Sequence, residues 1–266
     1  MTSPATPRPE DENLGASANL AYGLQHVLTM YGGIVAVPLI LGQAAGIAAA
    51  DIGLLIAASL FAGGLATLLQ TLGIPFFGCQ LPLVQGVSFA GVATMLAIIG
   101  SNGSVGLSVV FGAVITASLI GLLITPLFSR IIQFFPPLVT GIVITIIGLT
   151  LMPVTARWAM GGNSQAADFG STSNIALAAF TLATVLLLSK LGSASISRLS
   201  ILLAMVIGTL VATAFGMTDF SRVLDGPLVA LPQVLPLGAP QFQIAAIISM
   251  LIVIIVTMVE TSADIL

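Results

Sequence analysis

The sequence predicts an all-α polytopic membrane protein, and three observations carry that prediction. Hydrophobic residues make up 58% of the chain and charged residues only 6%. Mean hydropathy is +1.18. Apolar stretches near the ~20 residues that a helix needs to cross a bilayer recur along the chain. A soluble domain of this length could not cover its surface with so few charges. The net charge of −3, with no basic cluster, excludes a surface that tracks nucleic-acid phosphates. The one cysteine, Cys79, cannot close an internal disulfide. The sequence has no metal-ligand cluster, no nucleophile with a matching base and no phosphate loop. Neither an enzyme nor a bound metal or cofactor is therefore expected.

Residues 1–19 are polar and rich in proline, and Glu10, Asp11 and Glu12 replace the positive start of a secretory signal. They read as a disordered tail. Spans follow at Leu20 to Leu41, Ile52 to Leu72, Val105 to Phe128, Leu138 to Val154, Ile175 to Leu191, Leu199 to Phe215 and Ile244 onward. Residues 217–239 read as a Pro-rich extracytoplasmic loop. With the stretch Ile74 to Ile99 counted, the chain has seven crossings and the start of an eighth. Arg130, Lys190 and Arg198 fall on the N-terminal side and Arg157 and Arg222 on the other, so the positive-inside rule favours a cytoplasmic N-terminus. Small residues recur at four-residue spacing as Ala58, Ala62, Ala66 and as Ala113, Ala117, Gly121. Such stripes let helix backbones approach closely, a main source of packing energy in lipid.

The third crossing differs from the others. Pro75, Gly78, Pro82, Gly86 and Gly91 puncture it, and the part from Ser88 to Ile99 would rise only about 18 Å against a hydrocarbon core of ~30 Å. A half-helix preceded by extended chain is predicted. Non-helical backbone at that depth is tolerated only where protein buries it or a wet cavity meets it. The first amides of the half-helix, near Ser88, Phe89 and Ala90, would then be donors at the positive end of a helix dipole, suited to carbonyl oxygens or anions. The bland alternative is an ordinary spanning helix kinked by Pro and Gly.

Glu260 and Asp264 follow the uncharged run Ile244 to Val259 at a spacing that puts both carboxylates on one helix face. An ionisable group on a membrane helix is a functional-site hypothesis by default. Counted from Gln241, however, Glu260 stands about 30 Å along the helix, at the far interface rather than mid-depth.

Three motifs in order carry a resemblance: Gly23-Leu24-Gln25-His26-Val27-Leu28-Thr29-Met30-Tyr31-Gly32-Gly33 on the first helix, Gln85-Gly86-Val87-Ser88-Phe89-Ala90 at the break, and Glu260-Thr261-Ser262-Ala263-Asp264 on the eighth. The chain resembles the nucleobase-ascorbate transporter family, the second class of nucleobase:cation symporters. The Glu-Thr-Ser-Ala-Asp form is most similar to bacterial xanthine and uric acid permeases. The resemblance implies a seven-plus-seven inverted-repeat fold in the bacterial inner membrane, of which this sequence shows the first repeat and the start of the eighth helix. Residues 20–128 and 240–266 would then belong to a core domain and 129–216 to a gate domain through which a homodimer can form. It further implies proton symport of a purine nucleobase, driven by the proton gradient with no cofactor.

On this resemblance Glu260 binds the base, the backbone at Ser88 and Phe89 faces its ring, and His26 and Asp264 are supporting polar groups. Gln85 is read either as touching substrate or as bonding a neighbouring helix, and the same holds for Ser88. Phe89 either stacks on the ring or packs, and His26 is a structural hydrogen-bonding group or a proton carrier. The family's ninth to fourteenth helices have no counterpart in these residues, so complete transport is not expected of residues 1–266 alone. A sulfate-type anion carrier of the same architecture is the alternative, and paired carboxylates at the site count against it. An inactive fragment is a further one.

Overall fold

The computed structural model describes residues 15–75, 77–81, 83–131, 137–162, 166–221, 235 and 237–265. In a bilayer each backbone N–H and C=O must find a partner within the protein, and a helix supplies those partners from its own chain. The apolar runs accordingly form α1 (Ala16–Ala44), α2 (Ala49–Leu72), α4 (Gly106–Ile131), α5 (Pro137–Ala159), α6 (Thr172–Leu191), α8 (Ser200–Ala214) and α9 (Ile244–Ile265). Two shorter helices complete the described set, α3 (Val92–Asn102) and α7 (Ala194–Arg198). Six helical stretches are long and apolar enough to cross a membrane, with α3 and α4 counted together as one apolar stretch from Phe89 to Arg130. The count differs from the predicted one because α8 has 15 residues and α3 has 11. At 1.5 Å per residue neither fills a hydrocarbon core of ~30 Å. Helix α1 begins at Ala16, four residues before the predicted start, because Ala16 to Asn19 carry no breaker. Most of the predicted loop 217–239, including Arg222, lies outside the described residues, as do residues 1–14 and Pro82.

The chain divides into two compact units. The first holds residues 1–35, 59–86 and 170–230. Within it α6 lies on α8, where a Cβ on Gly208 would come 2.8 Å from the Thr181 hydroxyl. Helix α7 forms the turn between them, with the Ser197 hydroxyl donating to the Ser189 carbonyl at 2.9 Å.

The second unit holds residues 36–58, 87–169 and 231–266, and its core contains Val92, Val109 and Val110 with Ala113, Ala117, Ala246 and Met250 around them. Helices α4 and α9 form its main contact. Here the predicted small-residue stripe is used as expected. Ala113 and Ala117 are fully buried, and Gly121 is so close to α9 that a Cβ would sit 2.6 Å from Ile254. Further up, the non-helical segment before α9 crosses α4: the Gln241 N–H donates to the Ser108 carbonyl at 2.9 Å, and Gly112 lies directly under the Gln241 backbone. The Gln243 side chain also donates to Asn102 at 2.8 Å.

The stripe on α2 is a correction. Ala62 and Ala66 are exposed, and the close approach is made by Gly63 on another face of the helix. Periodicity marks a surface that could pack tightly, but the partner decides which face does.

Candidate functional site

The predicted break is present. Between α2 and α3, the described residues from Gly73 to Ser88 form no helix. Leu72 ends α2 because Gly73 takes φ +64, and Ile74 and Phe77 pair across Pro75 to reverse the chain. Helix α2 then meets the needs of the extended backbone. The Thr67 hydroxyl accepts from the Gln85 N–H at 2.8 Å and donates to the Gly63 carbonyl at 2.7 Å. A Cβ on Gly63 would stand 2.9 Å from the Gln85 carbonyl oxygen, so that position needs glycine for close approach. Both contacts lie in the first unit.

In the second unit, Ser88 is extended, at φ −84 and ψ 133, and caps a single 3-10 turn, Phe89–Gly91, that leads into α3. Its hydroxyl accepts from the Ala90 N–H at 3.2 Å. The half-helix is therefore shorter than expected, with the α-helix starting at Val92. One of the three amides predicted as open donors, that of Ala90, is capped by Ser88 itself, as serine at an N-cap commonly does. Phe89 is half-buried and packs against the core of this unit, so the packing reading accounts for its position.

Helix α9 runs past this turn. Gly91 faces it without a side chain: a Cβ there would meet Val253 at 3.3 Å and Met250 at 3.5 Å. One turn further along α9 the Thr257 and Ser88 hydroxyls stand 3.4 Å apart. Val253, Thr257 and Glu260 follow at four- and three-residue intervals, the spacing of one helix face. Glu260 is half-buried and thus continues the face that meets the break. Asp264 falls on the same face by register, and its side chain lies outside the described ones. The structure also shortens the predicted distance along the helix. Because Pro240–Gln243 are not helical and α9 begins at Ile244, Glu260 is about 24 Å from the helix start rather than about 30 Å.

The remaining predicted residues lie in the first unit: His26 is exposed on α1, and Gln85 is half-buried at the end of the extended segment. Sequence reasoning missed Thr257. The signal available was its place three residues before Glu260 on an otherwise apolar face. A cavity of about 350 Å³ lies between α4 and α9, lined by Thr125, Phe128, Ser129, Thr257, Met258 and Thr261 among others. It shares Thr257 with the break, but neither Ser88 nor Glu260 lines it. Among the described residues no group of three or more His, Cys, Asp or Glu side chains could hold a metal.

Residues 17–266 match the Permease family. The chain is 43% identical to a xanthine permease of Bacillus subtilis over 248 residues, which are 93% of this chain and 56% of that protein. It is 40% identical to the uric acid permease PucK of the same organism, over 90% of this chain and 55% of the relative. It is 38% identical to the uric acid transporter UacT of Escherichia coli, over 96% of this chain and 53% of the relative. The chain thus spans about half the length of the curated relatives it matches. These relatives are carriers by name and not enzymes, and the apolar helices agree with a multi-pass membrane protein. Matched over nearly its whole length, the chain belongs to the Permease family, the nucleobase-ascorbate transporters that its three motifs resemble.

Proposed function

We propose that this chain forms part of a secondary active transporter that imports purine nucleobases of the xanthine and uric acid class by proton symport. The observation that carries the reading is the meeting of the capped break at Ser88 with α9 one turn before Glu260. Xanthine and urate present adjacent ring N–H and C=O groups. A carboxylate accepts from the N–H while donors beside the break serve the C=O, and in a dry pocket the charge-assisted bond is the stronger of the two. The names of the relatives support a purine as the cargo rather than a sulfate-type anion. His26 and Asp264 remain in this reading as polar groups that support proton coupling, and Gln85 as a further contact. The bacterial inner membrane, a cytoplasmic N-terminus, a core and a gate domain and a homodimer through the gate domain belong to the same proposal. The proposed orientation is supported by the balance of Arg130, Lys190 and Arg198 on the N-terminal side against Arg157 and Arg222 on the other.

The test is uptake of radiolabelled xanthine and urate by cells that lack their own purine permeases, with the protein expressed from its complete gene. Saturable uptake that collapses when a protonophore removes the proton gradient is expected. Uptake no greater than that of empty-vector cells, with the protein present in the membrane, would reject the reading.

A second expected outcome concerns access. Single cysteines at Val87, Ser88, Phe89 and Ala90, in a background with Cys79→Ser, should react with a small aqueous thiol reagent, because extended backbone at membrane depth has to meet protein or water. Bound xanthine should slow at least one of these reactions. Inertness at all four positions would favour a turn sealed inside the protein.

A further inference from the structure

We infer that Thr257 is a substrate-binding residue, whose hydroxyl pair with Ser88 offers an O–H donor to a ring carbonyl of the base next to the N–H that Glu260 accepts. The inference rests on the purine reading above and adds a residue and a selectivity to it.

The argument begins with what hydroxyls do on apolar helices. A serine or threonine buried in a helix commonly returns its proton to the carbonyl four residues earlier. On α9 Ser249 does so to Ala245 and Ser262 to Met258, and on α4 Thr116 and Thr125 do so to Gly112 and Gly121. Thr257 departs from that habit. Among the described residues its hydroxyl meets Ser88 on the facing segment, in a half-buried contact, and makes no other hydrogen bond.

Counting protons gives the chemistry. The pair has two O–H donors. Ser88 already accepts from the Ala90 N–H, so its oxygen serves the backbone while its own proton is free to be placed. Whichever hydroxyl donates across the pair, the proton of the other is left over. At 3.4 Å the contact between them is long for O–H···O, where bonds centre near ~2.7–2.8 Å, so little is lost when one hydroxyl turns toward a guest. The pair therefore holds a donor in reserve on the face that Glu260 continues by one turn. An acceptor carboxylate beside a neutral donor is the complement of a lactam edge, N–H next to C=O, which xanthine and urate both carry. A site built to bond a particular group discriminates strongly against analogues that lack it, because its own polar group is then left unpaired.

The experiment uses the protein from its complete gene and compares Thr257→Val with Thr257→Ser. Valine keeps the branched shape and removes the hydroxyl, whereas serine keeps the hydroxyl. Thr257→Val is expected to raise the KM for xanthine about tenfold with Vmax within about twofold of wild type, the size of one lost hydrogen bond. Thr257→Ser should return KM to within about threefold of wild type. As a second measurement, Thr257→Cys in the Cys79→Ser background should react with a small aqueous thiol reagent and be protected by xanthine. If wild type takes up xanthine and Thr257→Val does so with unchanged KM, the residue only packs and the inference is overturned, while the transport reading stands. If the wild-type protein takes up no purine, the transport reading falls first and this assignment falls with it.

Discussion

Replacing Glu260 by Gln is expected to reduce xanthine and urate uptake about tenfold to a hundredfold at substrate concentrations below KM. The substitution keeps the shape of the side chain and removes its charge. A hydrogen bond to an ionised acceptor contributes about 1.5–3 kcal/mol, and each 1.4 kcal/mol is a factor of ten in affinity. A second loss is expected in coupling, since a glutamine cannot take up and release a proton. Glu260 is a half-buried carboxylate on a helix whose preceding sixteen residues carry no charge. It stands one turn beyond the contact between Thr257 and Ser88. Initial uptake rates, normalised to protein in the membrane, provide the check. Wild-type rates for both bases would remove Glu260 from the site.

Gly112→Ala is expected to destabilise the second unit more than any other single-methyl change on α4. The added carbon would press on the Gln241 carbonyl, closer than real Cβ atoms approach any neighbour, and the obstacle is backbone rather than a flexible side chain. Either α4 or the segment leading into α9 has to move, breaking the Gln241 N–H bond to Ser108 and disturbing the start of α9. Overpacking of this kind costs about 1–3 kcal/mol. Gly100 supplies the comparison. It lies on α3 with open space around it, so Gly100→Ala meets no clash and gains helix propensity of up to about 1 kcal/mol. Thermal aggregation in detergent, scanned at one heating rate for both variants, should fall in temperature for Gly112→Ala and hold or rise for Gly100→Ala. Equal behaviour of the two would mean that the Gln241 segment is not held against α4.

The helices were legible because hydropathy and helix length are tied by bilayer thickness, and all seven predicted spans appear as helices close to their predicted ends. The break was legible from its Pro and Gly content, but its lower boundary was not. Ser88 looked like the first helical residue, yet its hydroxyl caps a 3-10 turn and the α-helix waits until Val92. A serine at the start of an apolar run is itself an N-cap signal, and read as one it would have placed the first helical residue after Ser88. Glu260 stood out because a carboxylate on an apolar run is rare. Thr257 did not, since a threonine in such a run ordinarily bonds its own backbone, and only the facing segment reveals that this one does not. The two stripes of small residues were equivalent as sequence. The difference between them, Ala113 and Ala117 buried while Ala62 and Ala66 are exposed, depends on which helices meet, and spacing along one helix holds no information about that.

The seam between α4 and α9 also bears on how the chain is made. Ile131 ends α4 and Ile244 begins α9, so the ribosome has to synthesise everything between them before the larger partner of α4 exists. At about 5–20 residues per second that interval is on the order of ten seconds. During it the close-packing row of Ala113, Ala117 and Gly121 has only lipid, the insertion machinery or an earlier helix to lie against. Small residues suit that wait, because they expose no polar group to the bilayer and present no bulky knob that would lock onto a wrong neighbour. The second unit can thus be completed only after α9 has been made.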